Sequence, residues 1–167
     1  MMTRTFAPWV EPVAERLREE RAQVVAFARS QPAEAWSRPA PNEGWTCKDL
    51  LAHIGGGNDQ MFQEVLRAVV AREQLDPAVL RPDTDAANRR EVDARRGWPV
   101  EQVIAELEST GDEIQALLAG VREEDQGLRA EGSPITLGDF MRIVYKESHD
   151  IEHLAQLRKA LGENKES

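Results

Sequence analysis

A single cysteine, Cys47, stands in this 167-residue chain, so no disulfide can close within it and the lone thiol suits a reducing compartment. No apolar run approaches the roughly 20 residues that a membrane helix needs. The opening residues, MMTRTFAPWV, have neither the apolar stretch nor the small-residue cleavage site of a signal peptide. Basic charge is also scarce: 21 Lys and Arg against 30 Asp and Glu leave a net charge of -9. The basic residues are interleaved with acidic ones, a surface that repels a phosphate backbone and argues against nucleic-acid binding. Disorder is excluded by the 41% of hydrophobic residues, enough for a packed core in a chain of this length. A cytoplasmic, single-domain protein spanning 1–167 is the expectation.

The apolar residues recur with helical period. Val10, Val13, Leu17, Val24 and Ala28 fall on one stripe, and Gln31-Pro32 ends that helix because the residue before proline is pushed from helical angles. A connector rich in Pro, Trp and Asn follows, from Trp36 to Trp45. Thr46 suits an N-cap and Asp49 the third position of a capping box. The second helix carries Leu50, Leu51, Ile54, Met61, Phe62, Val65, Leu66 and Val69. From about Glu73 to Gly97 the chain is polar, with a mixed-charge run at Arg89 to Arg96 that reads as a short exposed helix within a crossover. Pro99 opens a third helix with the stripe Val103, Ile104, Leu107, Ile114, Leu117, Leu118 and Val121. A last helix runs from near Thr136 to about Leu161, with Gly162 at its C′ position. No strand and no internal repeat is evident, so the expected fold is all-α, a four-helix bundle with one long crossover connection.

Histidine is rare, and its three copies are placed informatively. In Ser148-His149-Asp150-Ile151-Glu152-His153, histidines at i and i+4 lie one turn apart on the same helical face, where both rings reach one cation. His53 sits near the start of the second helix, and packing that helix on the last would complete a set of three imidazoles. Three neutral nitrogens suit Zn²⁺, Ni²⁺ or another late first-row ion and leave a position for water or substrate. Helical projection puts Leu137, Phe140, Met141, Val144, Ile151 and Ala155 at the apolar centre of the last helix. His149 and His153 fall at the margin with Arg142, Tyr145 and Gln156, a position that fits one wall of a polar cleft or plain solvent exposure.

Two segments resemble signatures of the DinB/YfiT-like superfamily. Gly44-Trp45-Thr46-Cys47-Lys48-Asp49-Leu50-Leu51-Ala52-His53-Ile54 is similar to its "GW-s-h-kDllaHl" pattern, and His149-Asp150-Ile151-Glu152-His153-Leu154-Ala155-Gln156-Leu157-Arg158 to its "H-x-x-x-H-l-x-Q-l-r" pattern. The resemblance implies a DinB-like helical bundle, a divalent metal held by His53, His149 and His153, and a homodimer. The superfamily includes mycothiol-dependent maleylpyruvate isomerase and bacillithiol-dependent S-transferases, so it also implies a low-molecular-weight thiol as co-substrate. Gly55-Gly56-Gly57 departs from an ordinary helix directly after His53. Each interior glycine costs roughly 1 kcal/mol relative to alanine, which points either to a kink with close helix packing or to room over the metal for a bulky ligand.

Other residues carry two readings each. Asp49 either orients the free ring nitrogen of His53 or serves the N-terminus of its own helix. Arg142 and Tyr145 are candidates for holding an anionic substrate, or snorkel from the helix margin. Cys47 lacks a neighbour that would make it a nucleophile. Trp36 and Trp45 either cap the core or line a pocket mouth. Together these point to a metal-dependent thiol transferase or isomerase acting on a small electrophile; a hydrolase and a non-catalytic metal- or ligand-binding bundle are the alternatives.

Overall fold

The computed structural model describes residues 3–78, 84–146 and 149–162. Among these the regular structure is helical, and the only strand-like feature is an isolated bridge between Pro39 and Thr46. The α-segments are α1 (Glu11–Ser30), α2 (Cys47–His53), α3 (Asp59–Ala71), α4 (Thr84–Arg95), α5 (Val100–Ala119), α6 (Leu137–Lys146) and α7 (His149–Ala160). The all-helical expectation stands. The described segments do not reduce to four, because the expected second helix is divided and the crossover contains α4. The expected last helix is described as α6 and α7; Glu147 and Ser148 between them lie outside the described residues, as do 79–83 of the crossover and both chain ends.

Local chemistry sets the ends of these segments. Gln31 leaves helical angles at ψ 141°, as Pro32 requires. Between α1 and α2 the connector doubles back: Ala40 N–H donates to Trp45 O (2.9 Å), Cys47 N–H to Arg38 O (2.8 Å), and Gly44 takes φ +76° in the turn. Thr46 and Asp49 then form the expected reciprocal capping box. A second reciprocal pair, Thr136 with Asp139, opens α6, and Gly162 closes α7 at φ +80°.

The second helix divides at a π turn, Ile54–Asn58, where Gly56 has a non-helical ψ of -107°. A Cβ on Gly55 would meet Leu107 Cδ2 at 3.2 Å, and one on Gly56 would meet Glu91 Cβ at 3.4 Å. The space left by these two glycines is therefore filled by α5 and α4, not held open for a ligand. This settles the glycine question for Gly55 and Gly56 in favour of a kink with close packing. The expected short crossover helix is present as α4 and is exposed along most of its length, but Arg95 and Val92 turn inward. The Arg95 guanidinium is buried beside Gly56, paired through two 2.6 Å bonds with Glu106 and one of 2.7 Å with Glu91, and stacked 5.3 Å from the Trp98 ring. Val92 of the same helix is fully buried.

Apolar side chains form two clusters. One gathers the second half of α1, α2, the first half of α5 and α7 around Val24, Leu50, Leu107 and Leu154. The other gathers the first half of α1, α3, the second half of α5 and α6 around Val13, Leu66, Leu118 and Met141. Along each helix the residues between the clusters are polar: Arg21 on α1, Asp59 on α3, Thr110 on α5 and Asp150 on α7. A polar layer thus crosses the molecule at the height of the π turn. Because Gly55 touches Leu107 at the edge of this layer, Gly55→Val is expected to lose about 1–3 kcal/mol of stability by overpacking. Urea unfolding measures this, and a loss below about 0.5 kcal/mol would contradict the tight approach.

Candidate metal centre

His53 is the last residue of α2, buried at 6% exposure, and faces α7. His149 and His153 occupy successive turns at the start of α7 and are half-buried. The three rings converge through Nε2: His149 lies 3.2 Å from His53 and 3.0 Å from His153. Ring centroids are 4.3 to 5.0 Å apart, with the rings edge-on. Zn–N bonds of about 2.0–2.1 Å in a tetrahedron place neighbouring donor atoms about 3.3 Å apart. The observed spacings match that edge, so the residues present fit a divalent cation. What helical projection placed at a margin is turned inward onto His53.

The electrostatics agree with a neutral donor set. Burial, followed by the neighbouring His153, pushes His53 from its ordinary 6.5 down to about 4. The same causes, with His53 and Arg21 added, push His149 down to about 2. Both rings are therefore uncharged near neutral pH, with a lone pair free for a cation. Gln156 Oε1 accepts from His153 Nδ1–H at 2.8 Å, which leaves the His153 Nε2 lone pair facing the centre. The Nδ1 atoms of His53 and His149 are buried without a hydrogen-bond partner among the described residues. Trp45 lies against His53, centroids 5.4 Å apart, and the buried Trp36 lines a separate cavity of about 520 Å³ at the start of α2.

A cleft of about 1020 Å³ runs between α1, α5, α6 and the starts of α3 and α7, and His149 lies in its wall. Its other walls are largely apolar, with Val25, Phe62, Ile114, Phe140 and Val144. Arg142 and Tyr145 do not line it. Arg142 is exposed and paired with Asp139, while Tyr145 is 42% exposed beneath the Arg16 guanidinium at 4.7 Å. At about 100° per residue, positions 142 and 145 point away from Phe140 and Val144 on the same helix. Asp49 is likewise not a partner of His53. Its carboxylate accepts from Thr46 N–H (2.9 Å) and faces Arg96 (3.8 Å), the helix-start reading. Cys47 is fully buried, its thiol pushed up by burial and near Pro39 O at 3.8 Å, which leaves it no role as a nucleophile.

The residue that sequence reading missed is Arg21. Its guanidinium makes a fork to Asp59 (2.9 and 2.9 Å) and another to Asp150 (2.7 and 3.2 Å), and it donates to Leu107 O (2.9 Å). The signal was present: Arg21 sits on the apolar stripe of α1 between Leu17 and Val24, where an arginine is out of place unless paired.

These features define a class: an all-helical domain with three histidines gathered as a candidate divalent-metal centre. The family described as mycothiol maleylpyruvate isomerase N-terminal domain matches residues 17–148. The chain belongs to that family, which lies within the DinB/YfiT-like superfamily. No curated protein and no solved structure matches it. The match takes in Arg21, His53 and Asp59 but stops one residue short of His149, so the His149–His153 pair stands on geometry.

Both depressed histidines link the centre to stability. An unfolded chain takes up protons near pH 6.5, whereas the folded one resists until well below that, so acid favours unfolding. Each pH unit in that window is worth roughly 1.4 kcal/mol per group. Metal-free protein is therefore expected to be at least about 2 kcal/mol less stable at pH 5 than at pH 7 in urea titrations. Equal stability at the two pH values would contradict buried, neutral rings.

Proposed function

We propose that the chain is a divalent-metal-dependent enzyme that uses a small thiol for S-transfer to, or isomerisation of, a small electrophile. The observation that carries this reading is the convergence of three imidazole nitrogens, at 3.0 and 3.2 Å, beside a large apolar cleft. His53, His149 and His153 would hold the ion, with Zn²⁺ and Ni²⁺ best suited to three such donors. A cation held there lowers the pKa of a thiol or water beside it, so that an anionic nucleophile is available near neutral pH. The family description names mycothiol, which puts thiol ahead of water.

The chain's own residues supply the rest. Burial keeps His53 and His149 unprotonated, so protons do not compete for the donors near neutral pH. Gln156 holds the His153 ring in the tautomer that faces inward. Phe62, Phe140 and Val144 give an electrophile an apolar seat from which water is displaced. Arg21, Asp59 and Asp150 lie in the wall of the same cleft and are tied to one another, so none of these three is a free general base. In the same reading, α2 with α3 and α6 with α7 make two of four bundle helices joined by a crossover, and the active form is a cytoplasmic homodimer.

The test is metal content by mass spectrometry on untagged protein, beside His149→Ala/His153→Ala, followed by a panel of thiols and electrophiles. Near-stoichiometric metal and thiol-dependent turnover are expected in the wild type, with both lost in the double variant. Turnover that needs metal but no thiol would make the protein a hydrolase. Failure to take up Zn²⁺ or Ni²⁺ would sink the metalloenzyme reading.

A further inference from the structure

The three imidazoles are backed by one buried ion cluster. Arg21 reaches it from α1, Asp59 is the first residue of α3, and Asp150 is the second residue of α7. Their side chains are 11%, 5% and 9% exposed. Thr110 of α5 donates to Asp59 Oδ2 at 2.6 Å, and Leu107 O accepts from the guanidinium, so α5 is held by the same knot. Each carboxylate is tied closely to a histidine along the chain. Asp150 follows His149 directly, and only the π turn separates Asp59 from His53. Fixing the two carboxylates on one planar, five-donor group thus fixes the spacing between the end of α2 and the start of α7.

Charge points the same way. Two carboxylates and one guanidinium leave a single surplus negative charge, buried next to three donors that carry none. A dication among neutral ligands is stabilised by such a charge at short range and low dielectric. We propose that Arg21, Asp59 and Asp150 form a positioning and charge-balancing layer for a cation held by His53, His149 and His153. This rests on the metal-centre reading above. The forks are selective about geometry as well as charge, because a lysine at position 21 would keep the charge but lose both bidentate contacts.

A purely structural knot would stabilise the fold without touching metal affinity, and the two roles separate by experiment. Zinc affinity is measured by chelator competition on the full chain, for wild type, Arg21→Lys, Asp150→Asn and the control Asp125→Asn, each confirmed folded by circular dichroism. Asp125 is equally buried and paired with Arg72 at 2.5 Å, but it belongs to the turn before α6, not to the polar layer. Where either layer variant fails to fold, Asp59→Asn, which preserves shape, replaces it. Roughly ten- to hundredfold weaker zinc binding is expected in the layer variants, the range for residues that orient ligands. Asp125→Asn is expected to lose stability and keep wild-type affinity. Wild-type affinity in the folded layer variants, or an equal loss in Asp125→Asn, would overturn the layer's role while leaving the metal centre intact. No zinc binding by the wild type would overturn the metal centre itself, and the layer's role with it.

Discussion

Arg21 is the constraint around which the bundle is organised. A guanidinium at this depth is tolerated only when its charge and all its N–H groups are met. Here α3, α5 and α7 each supply acceptors to a residue on α1, so four helical segments share one set of hydrogen bonds. Removing one partner from such a buried arrangement typically costs about 3–5 kcal/mol, because the remaining charge is left unmet. Apolar contacts alone permit helices to slide or rotate with modest penalty; a planar fork does not. The layer therefore sets the register of α7 against α2, and with it the distance between His149 and His53.

Two apolar clusters on either side of the layer make this arrangement affordable in free energy. Val24, Leu50 and Leu154 below, and Val13, Leu66 and Leu118 above, bury most of the layer's side-chain surface and strengthen its electrostatics. Burial likewise depresses His53 and His149, so the rings stay neutral and their nitrogens remain available. The π turn adds the last geometric element. It lets α2 end at His53 and α3 begin at Asp59 with α5 pressed against Gly55, so donor and counter-charge come from one nearly continuous helix.

Much of this was legible in the sequence, and the remainder failed for identifiable reasons. Periodicity located the helices, and Thr46, Asp49, Pro32 and Gly162 marked their ends, since those signals are local. The rarity and spacing of histidine picked out the three that converge. Arg142 and Tyr145 were misplaced because the projection grouped them with His149 and His153 as one polar margin, whereas on α6 they face away from the cleft. Arg95 and Arg21 were overlooked because burial of a charge depends on partners distant in sequence: Glu106 for one, Asp59 and Asp150 for the other. Only Arg21, standing on an apolar stripe, left a local trace. Gly55 and Gly56 announced a break but not its purpose, which depended on the approach of Leu107 and Glu91.

That a single cation sits among His53, His149 and His153 is tested most directly by X-ray absorption at the zinc edge of the zinc-loaded protein. Three imidazole nitrogens at about 2.0–2.1 Å, with the multiple-scattering pattern of ordered rings, are the expected first shell. A shell of oxygen atoms without imidazole scattering would contradict the three-histidine centre.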